Sequence, residues 1–209
     1  MPSGVLFLLT TKRKSRNQIW SATNLTEAEL IARVRDGDDD AWAELMRLHQ
    51  QTVFRLAHLH LGDAADAEDA AQECFINAYR SLRSFDSSRP LRPWLLRIVS
   101  NLALNRRRSM GRYWGALQRA AQEQPASENG LAVKTEKELE AKELWTAVKR
   151  LPGNMQNVIY LRYFLDLSVE ETSSTLNIAE GTVKSQTHRA LEKLQHVIRT
   201  EFPHLEQGE

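Results

Sequence analysis

The stretch Leu161–Leu194, LRYFLDLSVEETSSTLNIAEGTVKSQTHRALEKL, decides how the chain is read. Ser168 with Glu171 three residues later is a capping box, the signature of a helix start. Asn177 tolerates the left-handed conformation that ends a helix. A second helix is predicted from Glu180, with Val183, Thr187, Ala190, Leu191 and Leu194 at helical spacing. Two helices joined by a turn of about three residues, with Lys184 and Arg189 on the second, read as a helix-turn-helix. An ordinary αα-hairpin has the same pattern, so the rest of the chain must decide between them.

Upstream, the pattern is helical almost throughout, with no strand-like alternation; the predicted class is all-α. Thr26 with Glu29 forms another capping box, opening a helix with Leu30, Ile31 and Val34 inward, and Asp36-Gly37-Asp38 breaks it. A longer helix follows with Trp42, Leu45, Met46, Val53, Leu56 and Ala57 on one face, ending near Gly62. A third, from Asp63 to about Ser84, carries Ala67, Ala71, Cys74, Phe75, Ala78 and Leu82 inward. Two prolines and adjacent serines make 84–93 (SFDSSRPLRP) a predicted loop. A fourth helix, Trp94 to about Arg108, is expected to bury Leu95, Ile98 and Leu102.

From Ser109 to Thr135 the pattern decays, which predicts a flexible linker over 109–135, with Tyr113–Leu117 able to prolong the fourth helix by a turn or two. The helical pattern resumes at Glu136 with Leu139, Leu144, Val148 and Leu151, and Pro152-Gly153 ends that helix. Val158, Ile159, Leu161 and Phe164 form the next. The expectation is two small helical bundles, 26–108 and 136–200, flanked by a disordered extension over 1–25 and a tail over 201–209.

Composition excludes several classes. A single cysteine rules out a disulfide framework or a multi-cysteine zinc site and fits a reducing, cytoplasmic setting. No run approaches the ~18 consecutive apolar residues of a membrane span. Val5–Leu9 is followed, not preceded, by Lys12, Arg13, Lys14 and Arg16, the reverse of a secretory signal. Asp36, Asp38 and Asp40 resemble the start of a calcium loop, but Ala41 and Arg47 stand where its glycine and glutamate belong. His58 and His60 point to different helix faces and read as a surface or half-buried pair. No phosphate loop or nucleophile motif is present, so no cofactor, metal or enzymatic activity is expected.

Charge is sharply sorted. Residues 26–75 hold four arginines against twelve acidic residues; residues 76–119 hold ten arginines against Asp86 alone, with no lysine. Adjacent stretches of opposite sign suggest two partners, one polyanionic. Charges merely sorted by helix are the alternative, but a run of arginine without lysine favours phosphate and base edges.

Three blocks together resemble the extracytoplasmic-function (ECF) sigma factors, promoter-recognition subunits of bacterial RNA polymerase. Ala67–Phe75 (AEDAAQECF) is similar to the family's region 2.2, and Trp94–Asn101 with Asn105 to Arg108 is similar to regions 2.3 to 2.4. Leu151-Pro152, Leu161–Tyr163 and Gly181–Ser185 with Arg189-Ala190 are similar to region 4. The resemblance implies that the 26–108 bundle binds core polymerase and the minus-10 element, and the 136–200 bundle the minus-35 element. The polymerase surfaces implied are the β′ clamp and the β flap, with Asp69, Gln72 and Glu73 sharing one helix face towards the clamp.

Capture of the melted minus-10 strand is implied for Arg89, Arg92, Arg97, Asn101, Arg106, Arg107 and Arg108 beside the 84–93 loop. Asn101 also suits a capping or bridging role, and Trp94 suits the core as well as a base platform. Minus-35 readout falls to Thr182, Lys184, Ser185, Gln186, His188 and Arg189, with Val183 and Leu191 as core. Gln186 replaces the family's usual arginine and could read adenine; Thr187 and Thr172 replace usual apolar residues, which suggests a less stable module. An anti-sigma protein is the further implied partner. A stand-alone helix-turn-helix regulator is the rival reading, but it leaves the 67–75 block and the arginine-rich fourth helix without a purpose.

Overall fold

The structure, a computed structural model, describes residues 25–120 and 136–206. The chain divides into two compact units, one built from the helices before residue 122 and the other from most of the chain after it. Among the described residues every regular element is helical.

Among the described residues the N-terminal unit has four α-helices: α1 Glu27–Arg35, α2 Asp39–Leu61, α3 Ala64–Ser81 and α4 Leu91–Ala120. The first three starts are chemically marked. Thr26 and Glu29 close the capping box on α1, Asp38 accepts from the Ala41 N–H, and Asp63 accepts from the Asp66 N–H. Gly37 at φ 92° and Gly62 at φ 81° turn the chain between helices, a region closed to most L-residues. Asp38 also pairs with Arg33 at 2.6 Å, so the apparent calcium ligand is a helix cap.

Leu45, Val53, Leu56 and Ala57 of α2 meet Ala67, Ala70, Ala71, Cys74, Phe75 and Ala78 of α3 and the inner face of α4. The α3 face is mostly alanine, which lets the backbones approach closely. Cys74 sits inside it with its thiol towards the Leu95 carbonyl at 3.5 Å, and burial pushes the thiol's pKa up to about 12.

Several expectations are corrected here. The fourth helix starts at Leu91, so the loop is 85–90; Pro93 falls in the first turn, where no intrahelical partner is owed. The helix also runs to Ala120, so 109–120 is helical rather than linker; the stretch holds no proline, and its two glycines are tolerated within the helix. Its buried stripe is Leu95, Leu96, Val99, Ser100 and Ala103, with Ile98 and Leu102 only half-buried. The run LLRIVSNLAL holds two overlapping apolar stripes, and packing against both α2 and α3 chose between them. His60 is buried, with only His58 of that pair exposed; His58 stacks near-parallel on Phe54, ring centroids 6.0 Å apart.

The C-terminal unit comprises α5 Glu136–Lys149, α6 Gly153–Ile159, a π-helical turn Tyr160–Phe164, α7 Val169–Leu176 and α8 Glu180–Glu201. Pro152 is the N-cap of α6, and the buried Gln156 amide donates to the Leu151 and Lys149 carbonyls at the end of α5. Trp145, Tyr160 and Phe164 form an aromatic cluster with centroids 5.5–6.1 Å apart. The Ser168–Glu171 capping box and left-handed Asn177 (φ 55°) bound α7 as expected.

Thr172 is fully buried but donates to the Ser168 carbonyl at 2.8 Å, so its hydroxyl is satisfied. Leu139, expected inward, is 43% exposed; the buried positions of α5 are Ala147 and Val148, two turns further on. Leu191, expected in the core, is half-buried. The predicted tail is ordered through Glu206 by a 3₁₀ turn that buries Leu205. Expectations for 1–24, 121–135 and 207–209 lie outside the described residues.

A polar tie joins three helices of the first unit. The Glu27 carboxylate accepts from His49 Nε2 on α2 at 2.9 Å and from the Leu91 N–H at the start of α4 at 3.4 Å. The His49 hydrogen bond is the main reason the Glu27 pKa lies below its ordinary value, against an opposing effect of burial. A depressed carboxylate pKa stabilises the fold above the ordinary value of 4.5 and stops doing so as pH falls through the folded-state value. Glu27→Gln should therefore cost about 1 kcal/mol at neutral pH, the usual worth of a charge-assisted hydrogen bond reduced for partial exposure. It should also flatten the acid-side loss of stability, measured by urea unfolding across a pH series.

Candidate nucleic-acid interface

α4 has a core face and an outer face. Trp94, Arg97, Ile98, Asn101, Leu104, Asn105 and Arg108 recur at three- and four-residue spacing, and each is half-buried or exposed. Cationic, amide and aromatic groups are thus lined up along one helix, as backbone contact and base stacking require. Trp94 is half-buried against Phe85, centroids 4.6 Å apart, which forms an apolar floor beside the 85–90 loop. In the loop, Asp86 accepts from the Ser88 hydroxyl and N–H and pairs with Arg89 at 3.3 Å. The Ser88 hydroxyl is the largest of the influences that lower the Asp86 pKa.

The predicted minus-10 arginines do not form one group. Arg97 and Arg108 lie on the outer face with Asn101, and Arg89 is in the loop. Arg92 is half-buried in the first turn and Arg107 is exposed on another side. Arg106 turns towards α3, donating to the Asp66 carbonyl at 3.0 Å and lying 3.6 Å from the Asp69 carboxylate. Leu91 is buried in the core and contributes nothing to the loop surface.

On α3, Asp69, Gln72 and Glu73 are all exposed. The same ridge continues with Ile76, 51% exposed, and Tyr79, 45% exposed. Sequence reasoning missed both, although each lies off the Ala67/Ala71/Cys74/Ala78 stripe and so had to face outward. Asn105 was likewise overlooked as a contact residue; its spacing of four from Asn101 was the available signal.

In the second unit, α8 is the outer helix of the helix-turn-helix. Thr182, Lys184, Ser185, His188 and Arg189 are exposed on it, while Gln186 is half-buried and Val183 fully buried. The His188 ring is 3.2 Å from Glu192, one turn on. Ala179 provides no side-chain cap to the start of α8, where the Thr182 and Val183 N–H groups donate to the Ala179 carbonyl, and Gly181 adds no side chain there.

Comparison with known proteins agrees with this division. Residues 45–113 match the family described as Sigma-70 region 2, and residues 141–194 match Sigma-70, region 4. The chain is 34% identical over 177 residues to the ECF RNA polymerase sigma factor SigW of Bacillus subtilis, covering 81% of this chain and 95% of that protein. It is 32% identical over 183 residues to the ECF RNA polymerase sigma-E factor of Escherichia coli K12, covering 84% and 95%. In fold it is similar to CnrH, solved in complex with the cytosolic domain of CnrY (TM-score 0.63, 22% identity, 83% of this chain and 97% of that one). It is also similar to RpoE of Bartonella quintana, solved with the anti-sigma factor NepR (TM-score 0.59, 21% identity, 76% and 97%).

The two fates of the α4 arginines can be told apart. Arg106→Ala should destabilise the N-terminal unit by about 1 kcal/mol through loss of its bond to the Asp66 carbonyl. Arg108→Ala, which removes an exposed charge, should stay within about 0.5 kcal/mol of the parent. Thermal unfolding of both variants checks this.

Proposed function

This chain belongs to the ECF sigma factors, which direct core RNA polymerase to promoters and perform no chemistry of their own, and on that premise we propose which of its residues do the work. Asp69, Gln72 and Glu73, extended by Ile76 and Tyr79, dock on the β′ clamp, and the C-terminal unit meets the β flap. Arg97, Asn101, Asn105 and Arg108, with Arg89 from the loop, hold the melted minus-10 strand. Thr182, Lys184, Ser185, Gln186, His188 and Arg189 face the minus-35 major groove. Arg92 and Arg107 add charge around the minus-10 surface, and Arg106 acts through α3 by positioning Asp69.

The observation that carries this assignment is the outer face of α4. Arg97, Asn101, Asn105 and Arg108 share one stripe while the apolar stripe opposite is buried. A strand laid along that stripe meets guanidinium groups for its phosphates and amides for its base edges. Melting then becomes favourable because single-stranded bases find partners that duplex bases lack. On α8, Lys184 and Arg189 anchor phosphates, while Thr182, Ser185 and Gln186 offer short polar groups to base edges.

The protein works where polymerase does, in the cytoplasm. No helix among the described residues is long and apolar enough to cross a membrane. An anti-sigma protein that covers the polymerase-facing and DNA-facing surfaces would hold it inactive. Support for this comes from NepR, an anti-sigma factor bound to the similar RpoE.

Abortive transcription with core polymerase tests the docking face. Glu73 is the clean position, because Asp69 also contacts Arg106 inside the fold. Glu73→Arg should lower initiation at a responsive promoter about tenfold or more with the fold unchanged; full activity would remove this residue from the docking face. For the minus-35 surface, Lys184→Ala and Arg189→Ala should each weaken duplex binding. Each should also make the slope of log affinity against log salt shallower by about one phosphate's worth. An unchanged slope would place that side chain away from the backbone.

A further inference from the structure

At the C-terminal end of α3 lies a cavity of about 350 Å³ that shares only Tyr79 with the polymerase-docking face proposed above. Val34 and Leu82, both buried, form its base. Tyr79 walls one side, held from behind by Trp42 with ring centroids 5.2 Å apart. Arg80 and Arg83 stand exposed at the mouth, and none of the described residues that line it is acidic. Arg35 is committed to the wall, its Nε and Nη2 each donating to the Leu82 carbonyl at 3.3 Å and Nη2 also donating to the Phe85 carbonyl. Gly37, at φ 92°, forms the remaining rim, with nothing within 4 Å of the place where a Cβ would sit.

We propose that this cavity binds a nucleotide unit, with its phosphate on Arg80 and Arg83 and its base against Tyr79. The volume suits one such unit, since ligand pockets begin near ~300 Å³. Guanidinium groups without acidic partners match phosphate in geometry and charge. An aromatic wall over an apolar base suits a planar ring and does nothing for a plain anion such as a carboxylate. The missing side chain at Gly37 leaves the mouth open, and the Arg35 bonds keep the far wall in place. The nucleotide can come from two sources, a free nucleoside diphosphate or a nucleotide of single-stranded DNA, and the site's chemistry is the same for both.

The test needs neither polymerase nor promoter, so it stands apart from the assignments above. Full-length protein is titrated with ADP, GDP, pyrophosphate, a short single-stranded oligodeoxynucleotide and an oligoglutamate peptide, using calorimetry. Backbone amide shifts map the contact. Binding of ADP or GDP that shifts residues 34–37 and 79–83, and weakens about tenfold in Arg80→Ala/Arg83→Ala, establishes a free-nucleotide site. The same pattern with the oligonucleotide alone establishes nucleic acid as the source.

Tyr79→Leu should weaken nucleotide binding about tenfold, as stacking is worth, while pyrophosphate binding stays the same. All three positions are exposed, and circular dichroism checks the fold of each variant. If a variant misfolds, the shift map of the parent protein still decides. No binding by any nucleotide probe, shifts elsewhere, affinity unchanged in the arginine variant, or binding by oligoglutamate alone each overturns the proposal.

Discussion

The N-terminal unit depends on the small-residue face of α3. Ala67, Ala70, Ala71, Cys74 and Ala78 are almost wholly buried, and their short side chains let α3 lie close to both α2 and α4. Close packing leaves little freedom to rotate a helix about its own axis, because any rotation would drive a larger side chain into the gap. The outer ridge from Asp69 to Tyr79 is therefore fixed by what lies beneath it. The same holds for α4, whose outer stripe faces away because Leu95, Leu96, Val99 and Ala103 are held inward. The two proposed surfaces are thus by-products of one packing solution.

Around that core, polar ties settle positions that apolar contact leaves loose. Glu27 joins α1 to His49 on α2 and to the first N–H of α4, compensating an end of α4 that proline leaves without a helical start signal. Arg35 holds the turn after α3 by two carbonyls. Arg106 draws α4 to α3 through the Asp66 carbonyl. These ties set charged side chains against backbone groups and a buried histidine, and a charge-assisted hydrogen bond is stronger than a neutral one.

Arginine therefore serves two purposes in one stretch of chain. Arg35 and Arg106 build the fold, whereas Arg80, Arg83 and Arg108 stand exposed on it. Composition cannot separate them, because the long side chain reaches a neighbouring helix as easily as it reaches solvent. The same ambiguity touched α8, where Gln186 is half-buried despite a position in line with exposed neighbours.

Local chemistry was legible in the sequence by itself. The capping boxes at Thr26 and Ser168, the left-handed Asn177 and the breaks at Gly37 and Gly62 depend on residues within one turn of each other, so spacing alone reveals them. The all-α class, the helix-turn-helix and the exposed Asp69, Gln72 and Glu73 follow from the same short-range periodicity. Only the tertiary structure decided which of the two apolar stripes of α4 is buried, that α4 begins at Leu91 under the Glu27 carboxylate, and that Arg106 faces α3. It also decided that Val34, Gly37, Tyr79, Arg80 and Arg83 share one cavity. Each of these joins residues far apart in the chain, and a contact between distant residues leaves no period in the sequence to be read.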